Sequence, residues 1–146
     1  MPIAWMIYSN ATEVTITFFL RALKAKNPTY PKIIMTDKDQ AQINSIRTVY
    51  PDTKILLCWW HVLHVWQQHF VTAHHPTLWK LLKEWVRISN LIDFKVQWVE
   101  IKKEGPQSVI EYLEKEWMGD HEMWSAIART DCVIWELRDT NMLLEA

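Results

Sequence analysis

Short apolar runs alternate with amphipathic segments in the first part of the chain, and this order limits the folds open to it. The predicted strands that contain these runs are residues 3–8, 32–36 and 54–58. Each run has the length of a buried strand. Between them, apolar residues recur every three or four positions, first over residues 11–26 and then at Ile43, Ile46 and Tyr50. Strand–helix–strand–helix–strand predicts an α/β layer whose last two strands are parallel.

Local signals mark where these helices begin and end. Asn10 and Glu13 have capping-box spacing, which predicts the start of the first helix. Asn27 precedes a proline, and a residue in that position avoids helical geometry, so the helix is predicted to end there. Asp37 and Gln40 repeat the capping spacing and predict the start of the second helix.

Residues 59–130 are predicted to be helical, with breaks at His75-Pro76, Gly105-Pro106 and Gly119, and a last element is expected at 139–146. The chain has ten Trp and only two Gly. So few glycines argue against a many-turned all-β fold and against a Gly-rich phosphate loop. Most Trp share helical stripes with Leu, Val and Ile, which predicts core packing. Trp60 and Trp98 fall off these stripes and are the expected exceptions, able to stack on unpaired bases.

The net charge of −1 conceals an uneven distribution. Residues 1–90 hold 10 basic and 5 acidic side chains, whereas residues 91–146 hold 6 and 12. Lys80, Lys83 and Arg87 are expected on one helix face, either contacting phosphates or simply solvated. No apolar run approaches the roughly 20 residues of a membrane span, no signal peptide is visible, and two cysteines suit a reducing compartment. The chain is therefore expected to be neither a membrane nor a secreted protein.

Asp37 is the first candidate for chemistry. It follows a predicted strand, and the carboxyl ends of parallel strands are where α/β sheets place ligands. A carboxylate there suits a divalent cation, which prefers oxygen ligands. The alternative is a helix cap in which Asp37 accepts a hydrogen bond from the backbone N–H of Gln40.

Cys58 and His61 form a second candidate, three residues apart at a predicted strand-to-helix turn. With His64 and Cys132 they would supply the ligand types of a zinc site. The alternative is a buried cysteine beside a histidine that is satisfied by a backbone or carboxylate partner. Glu145, near the end of the sequence, indicates nothing by itself.

Two strings, taken together, resemble the transposase domain of Mutator-like elements, abbreviated MULE. They are Ile34-Met35-Thr36-Asp37-Lys38-Asp39-Gln40-Ala41-Gln42 and Cys58-Trp59-Trp60-His61-Val62-Leu63. Pro2–Ile7 and Asp139–Glu145 fit the same family at either end. The resemblance implies a partial RNase H-like fold with a large all-helical insertion before the closing helix.

It also implies a DDE reaction, in which three acids hold two Mg²⁺ or Mn²⁺ ions at a DNA phosphodiester. Asp37 matches the second acid and Glu145 the third, so both are expected metal ligands. Cys58 and His61 match a C-x-x-H pair thought to act near the transferred DNA end. DNA at transposon ends and a nuclear location follow from the resemblance alone.

The first acid of the family lies upstream of the segment that matches Pro2–Tyr8. We therefore expect a truncated domain over residues 1–146, inactive alone. It comprises an α/β part at 1–58, a helical insertion at 59–130 and the start of the closing helix at 139–146. Two alternatives stay open: a non-catalytic module that binds an intact transposase or itself, and a domesticated DNA-binding regulator.

Overall fold

The computed structural model describes residues 10–27 and 30–130. These residues belong to two compact units that divide between Leu57 and Cys58. The strand expected at 3–8 and the element expected at 139–146 lie outside the described residues.

The first unit is an α/β arrangement around two parallel strands. Its elements in chain order are α1 (Glu13–Lys26), β1 (Ile33–Thr36), α2 (Gln40–Val49) and β2 (Lys54–Leu57). Ile33 pairs with Lys54 and Thr36 with Leu57, so the two strands run in register and end together. The mixed class and the parallel pair are confirmed, while the RNase H-like assignment stays a prediction.

The N-cap of helix α1 lies two residues later than predicted. The N-cap is Thr12, whose hydroxyl accepts from the Thr15 backbone N–H at 3.3 Å, while the Thr15 hydroxyl accepts from the Thr12 N–H at 3.0 Å. The capping box expected from Asn10 and Glu13 is therefore wrong, because two threonines at the same spacing close the box instead. The predicted end is confirmed, since Asn27 has extended geometry.

Polar contacts join α1 to α2. The Thr17 hydroxyl donates to the Ser45 hydroxyl at 3.0 Å. The Ser45 hydroxyl in turn lies 2.7 Å from the Ala41 carbonyl of its own helix and 3.0 Å from the Glu13 carbonyl of α1. Helix α2 buries Ile43, Ile46 and Val49, whereas no residue of α1 is buried.

The regular secondary structure described in the second unit is all helical, as the residue spacing predicts. Its helices are α3 (Trp59–Gln67), α4 (Pro76–Trp85), α5 (Leu91–Glu104), α6 (Gln107–Glu116) and α7 (His121–Trp124), with 3₁₀ turns at Met118–Asp120 and Ala126–Arg129. Among the described elements, no helix is both long and apolar enough to cross a membrane.

Indole rings fill the core of this unit. Trp66 makes edge contacts with Trp117 and Trp124 at centroid distances of 5.4 and 5.1 Å, and Trp85 lies 5.8 Å away. The prediction that Trp98 is an exception is wrong, since it is only 8% exposed and stacks on Trp85 at 4.9 Å. Trp60, by contrast, is 44% exposed, as expected.

Candidate functional site

Asp37 lies directly after β1, at the edge where both strands of the first unit end. Its side chain is half-buried. The Thr36 hydroxyl lies 3.3 Å from its Oδ1 and 2.5 Å from the Gln42 Oε1. One hydroxyl has a single hydrogen to donate, and the shorter contact, to Gln42, is the better hydrogen bond. The Asp37 carboxylate is therefore only weakly held by Thr36.

Asp39, not Asp37, caps the second helix. Its Oδ1 accepts from the Gln42 backbone N–H at 2.8 Å. The capping alternative for Asp37 is therefore wrong, because the chain makes a bend at Lys38 before the helix begins at Gln40. Because Asp39 already caps the N-terminus of α2, the Asp37 carboxylate is available for another role.

The donor chemistry of Asp37 suits Mg²⁺, because hard cations prefer carboxylate oxygens. Within residues 10–27 and 30–130, however, no group of three His, Cys, Asp or Glu side chains is placed to hold a metal ion. Glu145 lies outside the described residues. Asp37 is thus one suitable ligand, and the pairing of Asp37 with Glu145 stays a prediction.

Cys58 and His61 lie at the start of the second unit. Cys58 is fully buried and takes the N-cap position of α3 without a side-chain cap bond. His61 is half-buried, and its ring meets the edge of Trp60 at a centroid distance of 4.8 Å. Cys132, the fourth residue of the zinc alternative, lies outside the described residues. The role that the resemblance implies for Cys58 and His61 stays a prediction.

The three cations of the expected basic face already make contacts within the chain. Lys80 pairs with Glu84 at 3.9 Å, and the Lys83 ammonium lies 5.6 Å from the Trp79 ring centroid. Helix α4 ends at Trp85, so Arg87 lies outside the helix and does not share the predicted face. Its guanidinium donates to the Lys83 carbonyl at 2.6 Å. Exposed pairs of this kind contribute little to stability, and the choice between phosphate contact and solvation stays open.

Sequence reasoning missed one feature of α3. The rings of Trp60 and His64 stack with centroids 4.9 Å apart and planes 6° from parallel. Both side chains are exposed. The signal that could have revealed the pair was the spacing of four residues between two rings on a predicted helix.

A comparison with protein families bears on this site. No curated protein and no solved structure matches the chain. The family model described as MULE transposase domain matches residues 1–65. That range includes Asp37, Cys58 and His61, and it extends through Trp60 and His64 of α3. Over residues 1–65 the chain therefore matches the MULE transposase domain, which confirms the resemblance inferred from its sequence.

Proposed function

We propose that this chain is part of the catalytic domain of a cut-and-paste DNA transposase. Its reaction would be phosphodiester hydrolysis and strand transfer at transposon ends, with two Mg²⁺ or Mn²⁺ ions. The observation that carries the proposal is Asp37: a half-buried carboxylate at the carboxyl end of β1, free of the helix cap and inside the range that matches the family.

Asp37 and Glu145 are the residues proposed to hold metal. Bound ions of this kind activate the attacking water or 3′-hydroxyl and stabilise the leaving oxygen. Cys58 and His61 are proposed to act near the transferred DNA end. For a chain that acts on chromosomal DNA we propose a nuclear location, which imaging of a tagged chain would test.

The resemblance assigns two acids of a three-carboxylate site to these residues, and we propose that two carboxylates carry too little charge to hold both ions. We therefore expect a polypeptide of these 146 residues to show no Mg²⁺-dependent cleavage or joining of labelled DNA ends. Turnover that disappears in Asp37→Ala would contradict this expectation and would make the chain catalytic in its own right.

Metal binding at Asp37 is tested more directly by replacing Mg²⁺ with Fe²⁺. With ascorbate and hydrogen peroxide, bound iron generates radicals that cut the backbone beside its ligands, and mass spectrometry locates the cuts. We expect cleavage next to Asp37, suppressed by excess Mg²⁺ and lost in Asp37→Asn.

Asp39→Asn is the matched control, because it removes the same charge two residues away. Asparagine caps helices about as well as aspartate, so α2 is expected to keep its cap and the cleavage pattern to stay unchanged. Cleavage that is unaffected by Asp37→Asn, or equally lost in Asp39→Asn, would contradict the assignment of Asp37 as a ligand.

An interaction module is the second candidate, favoured by one observation on α5. Ile92, Val96 and Val99 are exposed at spacings of four and three, which places an apolar stripe on the outer side of this helix. Such stripes often mark protein contacts. Light scattering would detect self-association as a mass that rises with concentration, and Val96→Lys is expected to abolish it. A constant monomer mass would remove self-association from consideration.

A further inference from the structure

The exposed ring pair on α3 is unlike the other indoles of the helical unit. Eight of the ten Trp lie among the described residues, and of these only Trp60 is exposed. Trp79 is half-buried and the remaining six are buried. Core packing therefore accounts for the others and leaves the position of Trp60 unexplained.

Neighbouring side chains hold the Trp60 ring in place. His64 stacks on it with planes 6° from parallel, and His61 meets it at 86°. Gln67 Nε2 lies 3.4 Å from the His64 Nδ1, which orients the imidazole in turn. A flat ring whose rotamer is already restricted loses little conformational entropy when a ligand stacks on it.

The surroundings of the pair favour a nucleic acid over a protein. The exposed residues at the same helical spacing are Trp60, His64 and Gln67, so hydrogen-bonding groups rather than apolar side chains border the indole. Residues 58–83 contain no Asp or Glu but hold Lys80, Lys83 and five of the six His in the chain. The next residue, Glu84, pairs with Lys80 at 3.9 Å. An anionic strand would meet no carboxylate from this segment.

We infer that Trp60 and His64 form a stacking platform for an unpaired nucleobase of a DNA strand. Aromatic rings accept every base because each base has a π-face, and stacking of this kind is sequence-tolerant. The platform would hold one base out of the duplex and so position the strand beside it. This inference rests on the proposed function, since it takes DNA as the ligand.

The experiment compares two short fluorescent duplexes in EDTA, one with a single unpaired adenine and one with an abasic residue at that position. Anisotropy gives the affinity of the full chain for each. We expect Trp60→Ala to weaken binding to the unpaired adenine by about ten-fold and to leave binding to the abasic duplex unchanged. Trp60→Phe is expected to keep most of the wild-type affinity for the duplex with the unpaired adenine.

Phe18→Ala is the matched control, because Phe18 is an aromatic residue that is 73% exposed but lies on α1. It is expected to bind both duplexes like the wild type. A second readout places 2-aminopurine at the unpaired position, where stacking on an indole quenches its fluorescence. We expect the chain to quench it and Trp60→Ala to remove the quenching.

Each other outcome overturns the inference in a distinguishable way. Equal losses on both duplexes would make Trp60 a general contact or a structural residue, and the proposed transposase function would survive. Absence of binding to either duplex at low salt would overturn the platform and the proposed DNA interaction together. Unchanged DNA binding with a lower solution mass in Trp60→Ala would assign the ring pair to a protein interface. The iron-cleavage result at Asp37 is independent of all three.

Discussion

At the scale of single residues, the interpretation of the site depends on which of two acids, Asp37 or Asp39, caps helix α2. Both acids precede a glutamine by three residues, Gln40 and Gln42 respectively. Sequence spacing alone cannot choose between them. The choice depends on how many residues the chain needs to leave β1 and turn into α2, and the bend at Lys38 fixes that number.

Tyr50 makes a prediction about alkaline pH. Burial, and next the nearby Tyr30, raise the pKa of Tyr50 above its ordinary value of 10.0. The folded state thus keeps the phenol proton more tightly than the unfolded state. The resulting stability is complete below about pH 10 and falls as the pH rises towards the folded-state pKa. Tyr50→Phe removes this dependence, and urea midpoints measured across that range should fall less steeply than in the wild type.

The pKa of Tyr112 is also raised, chiefly by its burial. Its contribution therefore remains in Tyr50→Phe, and some alkaline loss of stability should persist in that variant. Identical slopes for the wild type and Tyr50→Phe would show that Tyr50 contributes nothing to the pH dependence.

At the scale of elements, spacing and breakers predicted which segments are helices and strands, but not which face of each is buried. Helix α5 illustrates the limit. One stripe of Phe94, Trp98 and Ile101 is buried, while Ile92, Val96 and Val99 repeat the same spacing and are exposed. Because this helix has two apolar stripes, apolar periodicity alone does not indicate which of them is buried. Contacts with other helices decide which stripe is buried, which is why the sequence alone does not predict the burial of Trp98.

The two glycines of the chain make a matched pair of substitutions at this scale. A Cβ at Gly105, between α5 and α6, would lie 2.7 Å from the Ile110 Cδ1 and 3.1 Å from the Ile101 carbonyl oxygen. Because Ile110 is buried, Gly105→Ala is expected to cost about 1–3 kcal/mol of unfolding free energy. Urea denaturation followed by circular dichroism would measure it.

Gly119 provides the control, since a Cβ there would meet no atom within 4 Å and its φ is not positive. Gly119→Ala is expected to be neutral or to stabilise the chain by about 0.4–1 kcal/mol through the unfolded state. A Gly105→Ala variant as stable as Gly119→Ala would mean that Ile110 moves aside without cost.

At the scale of the whole molecule, its two units are built on different principles and were predictable to different degrees. The parallel strands and α2 of the first unit follow from local patterns, so the expected position of Asp37 after a strand is confirmed. The helical unit depends on contacts between residues far apart in sequence, such as the hydrogen bond from Trp59 Nε1 to the Trp124 carbonyl at 2.6 Å. Local patterns contain no information on such pairings.

The indole core predicts a large loss of stability from one substitution. Trp85 is fully buried, stacks on Phe94 and Trp98, and donates from Nε1 to the Phe94 carbonyl at 3.1 Å. Trp85→Ala is expected to cost about 3–5 kcal/mol through the cavity it leaves. Trp60→Ala, on the exposed face of α3, should stay within about 0.5 kcal/mol of the wild type. Equal costs in urea denaturation would contradict the assignment of Trp85 to the core.

The clustered indoles of the helical unit also affect its fluorescence. All eight described Trp lie at or after position 59, and the rings of Trp66, Trp85, Trp117 and Trp124 form a chain of contacts of 4.9 to 5.8 Å. Excitation passes readily between indoles at such distances. Light absorbed anywhere in this cluster is therefore shared before it is emitted, and the emission of these four indoles reports on whether this set of helices is intact.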